Sequence, residues 1–167
     1  MKKIITTIVA IAFACATTFA ETPEQVQKGS ILIEADVTDM NLKVTNGVVF
    51  SFQGTGGYFI IDRLAGLGSI GLTAQSGWTE FRFSLGGRYY PFDFWKGSLF
   101  GDFSFNLRTG SGGGASQTIF GITTRVGYAL FLNRHVSVEP LMYLYIPFKK
   151  NVGGVALGFG AAISIYL

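Results

Sequence analysis

The sequence predicts an all-β fold, an eight-stranded antiparallel up-and-down transmembrane β-barrel, from three observations. Apolar residues make up 49% of the chain and charged residues only 14%, with 23 glycines, a composition that excludes intrinsic disorder. The mean hydropathy of +0.40 is high for a soluble domain, yet beyond the N-terminal segment no apolar run is long enough for a membrane-spanning helix. Eight segments of about ten residues alternate between apolar and polar side chains, as lipid-facing strands do.

The N-terminal segment predicts a cleaved signal peptide. Lys2 and Lys3 precede an uncharged stretch from Ile4 to Ala16, and small residues stand where signal peptidase would cleave after Ala20. Two alternatives stay open: an uncleaved membrane helix, and lipid modification of Cys15.

Cleavage would divide the chain into a signal peptide at 1–20, a short periplasmic segment at 21–29 and the barrel at 30–167. Without the two lysines of the signal, the 13 basic residues become 11 against 10 acidic ones, so no nucleic-acid surface is expected. Cys15 is the only cysteine, and the mature chain therefore has no disulfide and no cysteine ligand for a metal.

Period-two alternation between turn signals places the eight strands. The predicted strands are Ser30–Thr38, Val48–Ile60, Leu64–Ala74, Thr79–Tyr90, Ser98–Arg108, Thr118–Phe131, Val136–Ile146 and a last one from Leu157 to the C-terminus.

In the first four strands, one face is apolar and the other is small or polar. The apolar faces carry Ile31, Ile33, Ala35 and Val37; then Phe50, Phe52 and Tyr58; then Leu64, Ile70 and Leu72; and then Phe81, Phe83, Leu85 and Tyr89. The opposite faces carry Glu34, Asp36 and Thr38; then Ser51, Gln53 and Thr55; then Ser69, Gly71 and Thr73; and then Glu80, Arg82, Ser84 and Arg88.

The last four strands repeat the pattern. Their apolar faces carry Leu99, Phe103, Phe105 and Leu107; then Ile122, Val126, Tyr128 and Leu130; then Val136, Val138, Met142 and Leu144; and then Leu157, Phe159, Ala161, Ile163, Ile165 and Leu167. The opposite faces carry Asp102, Ser104, Asn106 and Arg108; then Thr123, Arg125 and Gly127; then Ser137, Glu139, Tyr143 and Tyr145; and then Gly158, Gly160, Ala162, Ser164 and Tyr166.

Turn signals separate these strands into two alternating sets. One set has three members, Asp62-Arg63, Pro91–Gly97 and Asn133–His135, and the other has four, Thr38–Gly47, Gln75–Trp78, Thr109–Gln117 and Pro147–Val152. The run Gly110–Gly114 predicts a flexible loop tip. Pro140 lies inside the seventh strand, where it cannot donate a ladder hydrogen bond, and it predicts a bulge or a local gap.

The placement of lysine indicates which face meets water. All seven lysines fall in the signal, the tail or the loops, whereas a water-facing strand surface would carry them freely. The polar face therefore predicts a narrow lumen in which arginines and carboxylates pair. The predicted structural ion-pair network consists of Glu34, Asp36, Glu80, Arg82, Arg88, Asp102, Arg108, Arg125 and Glu139.

Aromatic residues cluster near both sets of turns and predict two interfacial girdles. One girdle holds Tyr58, Phe59, Tyr89, Phe92, Phe94, Trp95 and Phe131, and the other holds Trp78, Phe81, Phe120 and Phe148.

Residues able to carry out catalysis are scarce. The single histidine, His135, falls in a predicted turn without an obvious orienting acid. Glu80 and Asp102 could form an acid–base pair, although ion pairing with the arginines is the simpler interpretation. One histidine, no mature cysteine and dispersed carboxylates also make a poor metal site. We expect no enzyme, no catalytic residues, no cofactor and no metal.

Short motifs follow one another in a fixed order from Gly57 onward. They are Gly57-Tyr58-Phe59, Asp62-Arg63, Arg88-Tyr89-Tyr90, Gly127-Tyr128, Phe131-Leu132-Asn133-Arg134 and Val136-Ser137-Val138-Glu139. In their order and spacing the chain resembles the small outer-membrane β-barrel family, OmpA/OmpX-like, in the form common in Bacteroidota-type envelopes. The resemblance implies an eight-stranded barrel with both termini in the periplasm, short periplasmic turns and outward loops. The family's last strand usually ends in an aromatic residue that the assembly machinery reads, whereas this chain ends in Leu167.

These observations predict an integral outer-membrane protein of a Gram-negative-type cell with a side-chain-filled lumen and a structural or interaction role. Two alternatives are a narrow, porin-like conduit for small or hydrophobic solutes and a lipid-modifying enzyme at the rim. The expected partners are outer-membrane lipid and lipopolysaccharide, together with the barrel-assembly machinery and periplasmic chaperones during biogenesis. We expect a monomer without nucleic acid.

Overall fold

The structure, a computed structural model, describes residues 23–36, 50–75, 77–148 and 154–167. A single 3-10 turn at Glu24–Val26 precedes eight strands: β1 Ile31–Asp36, β2 Phe50–Ile61, β3 Leu64–Gln75, β4 Trp78–Phe94, β5 Gly97–Gly112, β6 Ala115–Phe131, β7 Val136–Pro147 and β8 Ala156–Tyr166. Each strand pairs antiparallel with the next, and β1 pairs with β8 to close the barrel. The predicted fold class is confirmed. Within the described residues, no helix is long and apolar enough to cross a membrane.

Several predicted segments lie outside the described residues. They are the signal peptide 1–20, the loop Thr38–Gly47, the end of the loop Pro147–Val152, and the outer edges of the first two predicted strands.

The predicted turn Pro91–Gly97 is wrong, because β4 continues through the proline as far as Phe94. The β4–β5 register shifts between Tyr89 and Phe92, and this irregularity accommodates a residue that cannot donate to the ladder. The turn itself is reduced to Trp95 and Lys96.

The predicted flexible loop Thr109–Gln117 is also wrong. Strand β5 runs to Gly112, and β6 starts at Ala115, directly opposite it. Gly113 and Gly114 form a two-residue turn with φ values of +56° and +81°. Positive φ at both central positions matches the right-handed twist of the strands, so the glycines extend the hairpin instead of loosening it.

Pro140 creates the local gap that its position predicts, without a bulge. The β6–β7 ladder pairs Gly127 with Leu141 and resumes at Leu130 opposite Val138, with the register unchanged. On its other side Pro140 stays paired with Ala161 of β8. The interruption is therefore confined to one ladder.

The outer face of the barrel is an apolar belt. Large apolar side chains are exposed on the described strands, and Ile70 and Phe159 are 67% and 78% exposed. The outward residues of β6 from Phe120 to Leu130 cover about 33 Å at ~3.3 Å per residue, or roughly 25 Å of barrel height at a tilt near 40°. The belt's height is that of a membrane barrel's lipid-facing band.

The aromatic residues divide between the belt and the interior. Tyr58, Tyr89, Phe94 and Trp95 are exposed near the turns Asp62–Arg63 and Trp95–Lys96, and Phe81, Phe120 and Phe148 are exposed toward the opposite end. The assignment of Phe59 to a girdle is wrong, because its side chain is fully buried inside the barrel. It packs there against Tyr90, with ring centroids 5.7 Å apart.

Candidate functional site: the charged lumen

We call the end of the barrel with the turns Asp62–Arg63, Trp95–Lys96 and 132–135 the turn end, and the opposite end the loop end. The described strands contain ten charged residues, and all of them are buried or partly buried at inward positions. They are Glu34, Asp36, Glu80, Arg82, Arg88, Asp93, Asp102, Arg108, Arg125 and Glu139.

Arg88 of β4 lies in the middle of the lumen, and its side chain is fully buried. Its Nη2 lies 2.5 Å from Glu34 Oε2 and 3.0 Å from Asp102 Oδ2, and its Nη1 lies 2.8 Å from Glu139 Oε2. The guanidinium also stacks 4.1 Å from the centroid of the Phe100 ring. One planar multi-donor group thus joins carboxylates from three other strands, a task suited to arginine.

Arg125 of β6 forms the second cationic centre. Its Nη1 lies 2.8 Å from Glu34 Oε1 and 3.6 Å from Asp36 Oδ2, and its Nη2 lies 2.9 Å from Asp102 Oδ2. Glu34 and Asp102 bridge Arg88 and Arg125 into one network. We call these six residues the central cluster: Glu34, Asp36, Arg88, Asp102, Arg125 and Glu139.

Hydroxyl groups complete the hydrogen bonding of the central cluster. Ser137 Oγ and the Tyr166 hydroxyl donate to Glu139 Oε1 over 2.7 and 2.8 Å. The hydroxyls of Tyr90 and Tyr166 are 3.1 Å apart. These donors matter because buried charges are tolerated only when their remaining hydrogen-bonding capacity is satisfied.

An apolar floor closes the lumen on the turn-end side of the central cluster. Its buried members are Val26, Leu32, Phe59, Ala65, Tyr90, Phe100, Ala129, Leu141, Ala162 and Tyr166. Val26 brings the N-terminal segment into this floor, and its carbonyl accepts a hydrogen bond from the Arg63 amide at 2.7 Å. The segment before β1 therefore packs beneath the barrel.

On the loop-end side of the central cluster lies a cavity of about 180 Å³. Asp36, Asp102 and Arg125 of the central cluster form part of its lining. Its other charged and aromatic lining residues are Arg82, Arg108, Tyr143 and Tyr145. The lumen is thus divided into an apolar floor, a charged middle and a polar cavity.

The structure brings six of the nine predicted network residues into the central cluster and places the other three nearer the loop end. Arg82 Nη2 lies 3.6 Å from Glu80 Oε1, and its Nη1 donates to Gln53 Oε1 over 3.0 Å. Arg108 stacks on Tyr145, with its Cζ 3.9 Å from the ring centroid.

Sequence reasoning missed one inward ion pair at the turn end. Arg63 Nη2 lies 2.5 Å from Asp93 Oδ2, and Ser98 Oγ donates to Asp93 Oδ1 over 2.6 Å. Asp93 was hidden because the irregularity between Tyr89 and Phe92 shifts the alternation by one residue.

The arrangement offers little for catalysis. Glu80 pairs with Arg82, whereas Asp102 belongs to the central cluster, so the two carboxyls serve different arginines. His135 is exposed in the turn after β6, and its Nδ1 lies 2.9 Å from the Tyr166 carbonyl oxygen. Among the described residues, no group of histidine, cysteine and carboxylate side chains is arranged to hold a metal ion.

No family model and no curated protein matches the chain. Solved structures that resemble it include the N-terminal β-barrel domain of Pseudomonas aeruginosa OprF, with a TM-score of 0.58 and 14% identity over 84% of this chain and 98% of that one. Neisserial surface protein A (NspA) has a TM-score of 0.53 and 17% identity, over 81% and 93%. The outer membrane protein OprG from Pseudomonas aeruginosa has a TM-score of 0.51 and 13% identity, over 86% and 98%. At these identities the likeness concerns the fold.

Proposed function

We propose that the chain is an integral outer-membrane β-barrel protein of the OmpA/OmpX-like kind, with a structural or interaction role at a Bacteroidota-type cell envelope. The observation that carries this proposal is the distribution of charge. All ten charged residues of the described strands face the lumen, and the outer face is an apolar belt about as tall as a bilayer's hydrocarbon region. A barrel surrounded by water would carry charge outside. The names of the similar solved structures, which include an outer membrane protein, agree with this location.

In this proposal, the turn end and both termini face the periplasm and the loop end faces outward. Outer-membrane lipid surrounds the belt, and lipopolysaccharide contacts its outer rim. The barrel-assembly machinery and periplasmic chaperones act during insertion. The barrel works as a monomer and binds no nucleic acid. It is not an enzyme, because its lumen carboxylates form ion pairs and hydrogen bonds.

The filled lumen predicts that the protein does not conduct ions. Protein reconstituted in a planar bilayer should give no steady current steps, because the central cluster and the apolar floor occupy the lumen. A water-filled porin inserted into the same bilayer is the positive control. Steady openings of the wild-type protein would contradict the filled lumen and favour the alternative of a solute conduit.

A further inference from the structure

The turn between β4 and β5 presents two exposed side chains, Trp95 and Lys96, at the turn end of the barrel. Trp95 is 78% exposed, and its backbone has a φ of +55°. A bulky residue rarely adopts this left-handed conformation, which glycine adopts without strain. The exposed ring gains little packing from the barrel in return. Because such strain persists mainly at functional positions, the structure indicates a partner for the ring outside the protein.

Contacts with β6 fix the position of this turn. The Tyr128 hydroxyl donates to the carbonyl oxygen of Phe94. The Phe131 amide donates to the carbonyl oxygen of Lys96 over 3.0 Å. The Tyr128 ring also lies against Gly97, where an added Cβ would come within 2.7 Å of the Tyr128 Cζ atom. A surface whose backbone is already fixed loses little conformational entropy when it binds a partner.

Two further apolar side chains accompany Trp95 at the turn end. Phe94 precedes it and is 75% exposed, and Leu132, which follows the Phe131 amide that contacts the turn, is 61% exposed. Tryptophan typically lies at the headgroup level of a bilayer, where its ring meets the acyl chains and its N–H meets water. The bilayer surface at the turn end is therefore the partner that these side chains fit.

Lys96 gives this surface a positive charge. Its side chain is exposed and forms no ion pair with any residue that the structure describes. Arg134, in the neighbouring turn, lies 3.9 Å from Glu24, so its charge is partly offset. At a membrane surface, lysine packs its hydrocarbon stem on apolar groups and keeps its ammonium group near the lipid phosphates. The charge next to Trp95 thus complements an anionic headgroup better than a zwitterionic one.

We propose that Phe94, Trp95, Lys96 and Leu132 form a binding surface for an anionic phospholipid in the bilayer leaflet at the turn end. Lys96 contacts the headgroup, and the apolar side chains pack on the adjoining acyl chains. The inference rests on the proposed function, because it requires the turn end to lie at the periplasmic surface of the outer membrane. It deepens that function by naming a class of lipid that the barrel selects.

Quenching of Trp95 fluorescence by brominated lipids tests this inference. The refolded protein carries Trp78→Phe, which leaves Trp95 as its only tryptophan. The vesicles contain phosphatidylcholine with a smaller share of phosphatidylglycerol, and an equal amount of one lipid or the other is brominated while the overall composition stays fixed. We expect phosphatidylglycerol to associate with the Trp95 surface about fivefold more strongly than phosphatidylcholine, the effect of one lysine near anionic lipid.

The Lys96→Gln variant should be quenched equally by the two brominated lipids. Lys28→Gln is the matched control and should keep the preference, because Lys28 is an exposed lysine of the same end whose amide donates to Asp62 Oδ1. Added salt should weaken the preference of the protein with Lys96 intact. Heat-modifiable gel migration verifies that each variant is folded. If Trp78→Phe does not fold, Trp95→Phe in the otherwise native chain measures the Trp78 signal to be subtracted.

The possible failures of this inference and of the proposed function differ in their quenching patterns. Equal quenching by the two lipids while Lys96 is intact would overturn the inference and leave the proposed membrane location standing. A preference that survives Lys96→Gln, or that Lys28→Gln abolishes as well, would overturn the assignment to this surface. Absence of quenching by either lipid would contradict both the inference and the membrane location, since the Trp95 ring would then lie outside the bilayer.

Discussion

Replacing Arg88 with leucine is expected to lower the free energy of unfolding by about 3–5 kcal/mol, the cost of removing one partner from a buried ion pair. The side chain is fully buried and contacts carboxylates of β1, β5 and β7. Arg88→Leu leaves Glu34, Asp36 and Asp102 with Arg125 alone and removes the ion pair of Glu139. Urea unfolding in lipid vesicles, followed by tryptophan fluorescence and by heat-modifiable migration, measures the change.

Two further variants make this result specific. Arg134→Gln changes an exposed arginine and should alter stability by less than about 0.5 kcal/mol. Adding Glu34→Gln to Arg88→Leu should recover part of the loss, because it removes one uncompensated charge. An Arg88→Leu protein with the urea midpoint and gel migration of the wild type would show that the central cluster does not stabilise the barrel.

Replacing Phe105 with arginine is expected to destabilise the barrel by about 2–4 kcal/mol in lipid vesicles, the effect of a cation near the bilayer midplane. Phe105 is an outward residue of β5 and is 58% exposed in the middle of the apolar belt. Thr109→Arg is the matched control, since it lies on the same face of β5, four residues closer to the loop end. A cation there should cost at most about 1 kcal/mol.

The Phe105→Ala variant separates burial of charge from loss of packing. Phe105 packs edge-on against Phe103, with ring centroids 5.0 Å apart, and the alanine variant loses this contact without adding charge. The loss of unfolding free energy in Phe105→Ala is subtracted from that in Phe105→Arg. If the remainder equalled the loss in Thr109→Arg, the outer face of β5 would not lie in hydrocarbon.

The faces of the strands could be predicted from sequence, but the partners in the lumen could not. The alternation of apolar and polar side chains along each strand is enough to place Arg88 and Glu34 on inward faces. Their contact joins β4 to β1 across the lumen, and it depends on the strand tilt and stagger of the closed barrel. Local alternation contains no information about that stagger, so the sequence predicts a set of charges without its pairing.

The incorrect predictions concern places where an irregularity shifts the inward–outward alternation of a strand, or where large side chains fill the interior of the barrel. The irregularity between Tyr89 and Phe92 turned Asp93 inward and lengthened β4. Phe59 was misplaced because aromatics near strand ends suit either a girdle or a filled lumen. The short turn at Gly113 and Gly114 shows that a glycine run can serve a tight hairpin as well as a flexible tip.

Spin-label accessibility along β5 tests the central claim most directly, namely that the apolar face meets lipid and the charged face is enclosed. The only cysteine of the chain is Cys15, within the predicted signal peptide, so single cysteines at 103 to 107 can be labelled in the mature protein without a competing thiol. In lipid vesicles, labels at 103, 105 and 107 should collide freely with oxygen and little with a water-soluble nickel complex, whereas labels at 104 and 106 should be shielded from oxygen. Outward labels that collide with the nickel complex as often as one at Thr109 would contradict the account.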